Sequence, residues 1–208
     1  MADNYQLSRD RAQAYFLNFD QQTLIDTWQL AHDADWLYAE LLGKPYRICR
    51  KTGSVIRGDG SEAGFEEALS IFDLLCHEGT EKFCTGHFAP VNSLRGCPAV
   101  TVGTDFHSET AGRLDRNWDA FQSACLELGG TPVPLGDFGF SFPVFDELTV
   151  QLKFYHADED FPASLVLLWE ENTLQYIYYE TVFYIAGFLL QSILMQMGKI
   201  RTAKEETT

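Results

Sequence analysis

The sequence has few basic residues for its length. Fifteen Lys and Arg stand against 30 Asp and Glu among 208 residues, which gives a formal net charge of −15 and a pI near 4.6. A field of that sign repels phosphate backbones and anionic lipid surfaces. We therefore expect neither nucleic acid nor a membrane surface as a partner.

An export signal is also missing from the first residues. The segment MADNYQLSRDRAQ has no apolar stretch behind a basic start, which is the pattern that a secretory signal requires. Five cysteines, an odd number, do not suit a complete disulfide framework. We expect a cytoplasmic protein whose thiols are reduced.

Long apolar runs are scarce. The longest candidate, VFYIAGFLLQSILMQM at 182–197, has 16 residues and is interrupted by Gln191, Ser192 and Gln196. A helix that spans a membrane usually needs 18 or more apolar residues, and extending the run upstream brings in Glu180. We expect a buried C-terminal core helix, with a membrane segment as the alternative.

No linker rich in Pro, Gly or Ser divides the chain, and 46% of its residues are hydrophobic, enough for a sizeable core. We expect a single domain over 1–200, with an N-terminal helical part at 1–42, a sheet-containing core at 43–200 and a flexible tail at 201–208. Residues 8–42 carry apolar residues at helical spacings and are interpreted as two helices.

Hydrophobic periodicity assigns most of the other elements. PYRICRKTGSVIRGDG predicts a β-hairpin that turns near residues 51–54. EAGFEEALSIFDLLCHEG at 62–79 and RNWDAFQSACLELGG at 116–130 predict helices, and strands are expected near 138–144, 148–155 and 164–169. The pattern indicates an α+β fold, in which helices pack on a mixed or antiparallel sheet and the apolar C-terminal helix crosses one face.

Four stretches carry a resemblance to a known family: GHFAPVNSLRG at 86–96, GDFGFSFPVF at 136–145, FYHADEDFPASLVLLWEEN at 154–172 and YIYYETVFYIAGFLL at 176–190. They resemble the uncharacterised prokaryotic family described as domain of unknown function 3786. The resemblance implies a compact α+β domain in the cytoplasm of an anaerobic bacterium or archaeon. Some relatives carry an N-terminal iron–sulfur domain with closely spaced cysteines, but this chain has no cysteine before Cys49.

The segment HADEDFPAS at 156–164 connects two predicted antiparallel strands and carries three consecutive carboxylates. Three interpretations are open: a solvated hairpin tip, a site for a cation or for a partner's basic group, and Asp158 or Asp160 capping backbone amides in the turn. The residues Phe161 and Pro162 are expected to return the chain to the core.

A second candidate site is an aromatic cleft at the start of the C-terminal helix, where the helix dipole favours the carboxylate of Glu180. A first-turn charge with a purely structural role is the alternative. The residues proposed to bind a ligand there are Tyr155, Trp169, Tyr176, Tyr179 and Glu180.

A third candidate is a cluster of soft ligands at Cys84, His87 and Cys97, preceded by Cys76 and His77. Thiolate and imidazole donors suit zinc, but the chain has no Cys-x-x-Cys knuckle, and ordinary thiols are the alternative. Cys97 could also act as a nucleophile if folding placed His87 or His107 beside it. The basic residues Arg47, Arg50, Lys51 and Arg57 on the hairpin, with Arg113 and Arg116, form either an anion patch or surface ion pairs.

Three functions follow from these patterns. A non-catalytic accessory protein would bind a small molecule, a cofactor or a protein partner in the aromatic cleft; this is the function we favour. An enzyme would use a Cys/His pair or Glu180 as general base. An oligomerisation protein would pair its terminal helix with the same helix of a second copy.

Overall fold

The computed structural model describes residues 4–79, 82–99 and 108–205. These residues form six α-helices and eight β-strands. The helices are α1 (Asn4–Asn18), α2 (Gln21–Trp28), α3 (Phe65–Cys76), α4 (Ser108–Asp115), α5 (Trp118–Glu127) and α6 (Tyr179–Glu205). The strands are β1 (Trp36–Leu41), β2 (Lys44–Cys49), β3 (Val55–Arg57), β4 (Phe88–Pro90), β5 (Thr131–Pro132), β6 (Phe138–Phe145), β7 (Leu148–Tyr155) and β8 (Ser164–Glu170).

A small antiparallel sheet has the order β1-β2-β3. Its β2–β3 hairpin confirms the predicted turn, but the helical interpretation of residues 36–41 is wrong, because they form strand β1. The tight turn into β2 uses Leu42 and Gly43, both with positive φ (51° and 68°), the conformation that two-residue hairpin turns favour.

A larger antiparallel sheet has the order β4-β8-β7-β6-β5. Residues alternate along β7 between buried and partly exposed positions, which is the pattern of a strand with one face on the core. The amide of Leu42 donates to the Val144 carbonyl at 2.9 Å and ties the two sheets together. The fold is therefore α+β with two antiparallel sheets, as the sequence predicts.

The C-terminal helix α6 packs along α3 and α5. Its inward stripe is fully buried and recurs every three or four residues, at Val182, Ile185, Leu189 and Ile193. The segment Tyr179–Thr202 is long and apolar enough to cross a membrane, with 44% of its most apolar window buried inside the protein. The helix continues to Glu205, so residues 201–205 of the segment predicted as a flexible tail are helical; residues 206–208 lie outside the described residues.

Candidate functional site

The aromatic residues predicted to form one cleft lie in separate places. The side chains of Trp169 and Tyr176 are core residues, only 2% and 1% exposed. Tyr155 lies at the end of β7, where the Lys153 ammonium is 4.9 Å from its ring centroid. Tyr179 faces the turn after β4, and its hydroxyl donates to Asn92 Oδ1 at 3.1 Å. None of these four side chains lines the pocket that Glu180 lines.

The thiol and imidazole candidates are also separated. Within residues 4–79, 82–99 and 108–205, no three His, Cys, Asp or Glu side chains are placed to hold a metal ion. Cys84 Sγ donates to the Glu147 carbonyl at 3.2 Å, and Cys97 Sγ donates to the Pro98 carbonyl at 3.4 Å. His107 lies outside the described residues.

The acidic segment after β7 is an exposed connection between β7 and β8. Asp158 Oδ1 accepts the amides of Asp160 and Phe161, at 2.8 and 2.7 Å, which is the capping role considered above. His156 Nδ1 lies 2.6 Å from Asp115 Oδ1 and holds the start of the loop against α4. Phe161 is 70% exposed, so the expectation that it returns the chain to the core is wrong.

The basic residues of the first hairpin are engaged by the protein itself. Lys51 pairs with Asp35 at 2.8 Å. The Arg47 guanidinium lies 4.7 Å from the ring centroid of Trp36. The Lys51 contact matches the interpretation as surface ion pairs, whereas Arg47 makes a cation–π contact that the sequence did not predict.

A pocket of about 380 Å³ lies between α1, α3 and the first turns of α6. This volume falls in the range of small-molecule sites. We call it the Asp73–His77 pocket. Of the residues predicted to form the aromatic cleft, Glu180 lines it. Its walls are Arg11, Ala12 and Tyr15 of α1; Leu69, Phe72, Asp73, Cys76 and His77 of α3 and its C-cap; and Tyr178, Glu180, Thr181 and Tyr184 at the start of α6.

The α3 wall is one helical face. Leu69, Phe72, Asp73, Cys76 and His77 follow the i, i+3, i+4, i+7, i+8 spacing that places side chains on the same side of a helix. The helix begins at an N-cap glycine and ends at Cys76, where His77 donates its amide to the Asp73 carbonyl at 2.9 Å. The face therefore combines three apolar residues with a carboxylate and an imidazole.

Asp73 is a buried carboxylate with incomplete hydrogen bonding. Its side chain is 5% exposed. Oδ2 accepts the backbone amide of Tyr178 at 2.8 Å, whereas Oδ1 has no hydrogen-bond partner among the described residues. No lysine or arginine in the described chain forms an ion pair with it, although Lys82 Nζ donates to the neighbouring His77 carbonyl at 2.5 Å. A buried charge without such a partner is unusual and costly.

The imidazole of His77 covers this carboxylate. Its Nδ1 is buried and lies 3.5 Å from Asp73 Oδ1, beyond the usual 2.7–3.2 Å of an N–H···O bond. Nε2 is not among the buried atoms that lack a partner, so it is the nitrogen that a molecule in the pocket can reach. The carboxylate lies on the Nδ1 side of the ring, so a positive charge or an N–H at Nδ1 would be favoured electrostatically.

Tyrosine rings frame the mouth of the pocket. Tyr178 is 62% exposed and meets the His77 ring edge-on, with centroids 4.6 Å apart. Tyr15, 47% exposed, donates its hydroxyl to Glu78 Oε1 at 2.9 Å, and this hydrogen bond raises the pKa of the phenol. Burial raises the pKa of the Cys76 thiol to about 12, so Cys76 is a neutral wall residue at neutral pH and not an activated nucleophile.

The sequence singled out His77 only as part of a metal-ligand cluster, and it gave no role to Asp73. Asp73 and His77 are spaced i, i+4 on the stripe that predicts burial, and a carboxylate and an imidazole on a buried stripe are rare. The presence of these two polar residues on an otherwise apolar stripe is the feature of the sequence that could have identified the site. The contribution of Tyr15 from α1 carried no comparable signal, because it depends on how α1 packs against α3.

Comparison with known proteins adds a family. The model of the family described as a domain of unknown function (DUF3786) matches residues 20–192. The match begins after α1 ends and includes both sheets, α2 to α5 and the first half of α6. No curated protein and no solved structure matches the chain. Since the matched segment covers most of its length, this chain belongs to the DUF3786 family.

Proposed function

We propose that the protein is a non-catalytic binding module that takes a small organic amine with an aromatic or aliphatic body into the Asp73–His77 pocket. The observation that carries this proposal is the Asp73 carboxylate, which is buried beneath an aromatic pocket without a lysine or arginine as its ion-pair partner. Lys82 interacts with Asp73 only from beyond ion-pair distance, and a cation bound in the pocket would supply closer charge compensation.

The walls favour the same ligand. Phe72, Tyr15, Tyr178 and Tyr184 place aromatic rings around the cavity, and the faces of such rings attract ammonium groups. Glu180 adds a second carboxylate at the edge, while Arg11 contributes the opposing charge. The net charge of −15 further favours the approach of cations over anions.

The polar head of the ligand would meet His77. Because Nδ1 is turned toward Asp73, Nε2 is the nitrogen that would accept a hydrogen bond from an ammonium N–H. The apolar body would lie against Leu69 and Phe72, which form the floor on α3. Recognition by one imidazole and one buried carboxylate would select the head group more strictly than the body.

The cytoplasm is the proposed compartment. All five cysteines are free thiols in the structure, and an acidic, disulfide-free chain suits a reducing compartment. The family resemblance extends this proposal to the cytoplasm of an anaerobic prokaryote.

A direct test begins with protein purified from its native host. Native mass spectrometry and absorption spectroscopy would reveal a molecule that remains bound through purification. In parallel, 2-phenylethylamine and its neutral analogue 2-phenylethanol would be titrated into ligand-free protein by calorimetry. We expect the amine to bind about tenfold more tightly than the alcohol, because only the amine offers a positive charge to Asp73 and the rings.

Two substitutions on α1 assign the binding to this pocket. Ala12 lines the pocket, whereas Ala14 is an exposed residue of the same helix. Ala12→Trp should fill the cavity and abolish amine binding, and Ala14→Trp should leave it unchanged. Equal binding by both variants, or equal affinity for amine and alcohol, would overturn the proposal.

A further inference from the structure

A second cavity, with a volume of about 940 Å³, lies further along the groove between α3 and α6. The Asp73–His77 pocket is lined by the end of α3 and the start of α6, whereas this cavity is lined by the start of α3 and the middle of α6. The two helices are therefore antiparallel along the groove. The Phe65 and Tyr184 rings meet edge-on with centroids 5.9 Å apart. Phe65 lines this cavity and Tyr184 lines the Asp73–His77 pocket, so their contact separates the two. We call this second cavity the Lys44 pocket.

Lys44, the first residue of β2, extends into this cavity. Its Nζ donates to Ser192 Oγ at 2.8 Å and lies 4.3 Å from the centroid of the Phe188 ring. Among the described residues no carboxylate lies within ion-pair distance of Nζ, and burial lowers the pKa of this lysine. In a chain with twice as many acids as bases, a half-buried lysine without a carboxylate is exceptional.

Two of the three carboxylates that line this cavity already accept hydrogen bonds from the protein. Glu67 accepts hydrogen bonds from Tyr46, Arg57 and the Gly64 amide. Asp59 accepts the amide and the hydroxyl of Ser61 within its own turn. Glu66 is exposed at the outer edge. The guanidinium of Arg57 is thus neutralised by Glu67, and Lys44 is left as the single available cation.

Much of the remaining wall is apolar, although the polar side chain of Gln191 also lines it. Phe65, Phe188 and Met195 contribute rings and a thioether on one side of the ammonium. One positive charge beside an apolar wall suits a ligand with one negative charge and an apolar body. Lys44 would neutralise only one of the two negative charges of a phosphate dianion.

We infer that the Lys44 pocket binds an organic monocarboxylate with an apolar body. The carboxylate pairs with Lys44 Nζ and accepts a hydrogen bond from the Ser192 hydroxyl. The body lies between Phe65 and Phe188. This site is separate from the proposed amine site and does not depend on it.

The probe for this site is 3-phenylpropionate, titrated into the full-length protein and followed by ¹⁵N NMR. We expect shifts centred on residues 44–46 and 188–195, and weaker binding of the neutral analogue 3-phenylpropanol. Lys44→Met keeps the apolar stem and removes the charge, and it should weaken binding about tenfold. Lys51→Met removes one charge from the β2–β3 turn, where the side chain is 75% exposed and outside this cavity, and it should change the affinity less than about twofold.

Two further measurements keep the outcomes distinct. Lys44→Gln, a second uncharged variant, should reproduce the loss, and the thermal midpoint of each variant checks that the fold is intact. Ala12→Trp, which closes the amine pocket, should leave 3-phenylpropionate binding unchanged. Equal affinity of wild type and both Lys44 variants would overturn the inference, as would shifts confined to residues 12–15 and 178–184.

Discussion

Substitution of Glu67 by alanine should destabilise the protein more than its position near the surface suggests. The side chain is 7% exposed and accepts four hydrogen bonds. Tyr46 Oη donates at 2.6 Å, Arg57 Nε at 2.9 Å and the Gly64 amide at 2.8 Å, and Arg57 Nη2 donates the fourth. The carboxylate thus joins β2, β3 and the N-terminus of α3.

The magnitude follows from what each donor loses. The Tyr46 hydroxyl is buried and would be left without its acceptor, at a cost of about 1–3 kcal/mol. The Gly64 amide would lose its cap, at a cost of about 1 kcal/mol. Arg57 is 36% exposed and can be rehydrated, so its share is about 0.5 kcal/mol. We expect a loss of about 3 kcal/mol in the free energy of unfolding.

Urea unfolding at pH 7, followed by tryptophan fluorescence, measures this loss as a change in midpoint at constant m-value. Glu66→Ala is the matched control, since Glu66 is the exposed neighbour in the same helical turn, and it should cost less than about 0.5 kcal/mol. A loss below about 1 kcal/mol for Glu67→Ala would refute the assignment of Glu67 as the junction of these elements.

The pH dependence has a definite sign. Burial opposes ionisation of Glu67, but hydrogen bonds from Arg57, Tyr46 and Gly64 hold its pKa below the ordinary value. A depressed folded-state pKa contributes stability above the unfolded pKa of about 4.3, and this stability is lost as pH falls through the folded pKa. The stability difference between wild type and Glu67→Ala should therefore be constant near neutrality and shrink in acid.

Two other predictions concern thiols and glycines. A hydrogen bond from a neighbouring threonine lowers the pKa of Cys49, whereas burial raises the pKa of Cys76 to about 12. Peptide mapping after thiol labelling at pH 8 should therefore find Cys49 modified before Cys76. Equal labelling rates for these two thiols would contradict this order. A Cβ at Gly79 would lie 1.9 Å from the Gln175 carbonyl oxygen, while one at Gly187 meets nothing within 4 Å. Gly79→Ala should therefore destabilise the protein by about 2 kcal/mol or more. Gly187→Ala should stabilise it by about 0.5–1 kcal/mol. Thermal unfolding measures both effects, and a Gly79→Ala variant more stable than Gly187→Ala would contradict the close contact at Gly79.

Hydrophobic periodicity predicted most elements of the fold. It assigned β1 wrongly, because a small residue at an inward position weakens the alternating pattern of a strand. In β1, the residues Leu37, Ala39 and Leu41 point inward. Because alanine gives little hydrophobic signal, the pair Leu37 and Leu41 suggested the i, i+4 spacing of a helix. The β7–β8 hairpin was predicted correctly because β7 alternates buried apolar residues with polar ones, β8 is rich in apolar residues, and the acidic loop separates the two strands.

The candidate site was harder to predict, because a sequence does not distinguish aromatic residues of a core from those of a cleft. Trp169 and Tyr176 are core residues, and only the position of Glu180 beside a tyrosine-lined cavity matches the expectation. The decisive residues, Asp73 and His77, come from a helix about a hundred positions away from α6. Only the packing of α3 against α6 brings them beside Tyr178.

Helix α1 supplies one wall of the Asp73–His77 pocket, yet it precedes the segment that matches the family. Of its described side chains, Phe16 alone is fully buried, against Phe72 at a centroid distance of 5.3 Å. Residues such as Ala12 and Tyr15 can therefore vary during evolution without disturbing either sheet. The selectivity of the pocket is thus open to change through α1 alone, while the Asp–His pair on α3 stays in place.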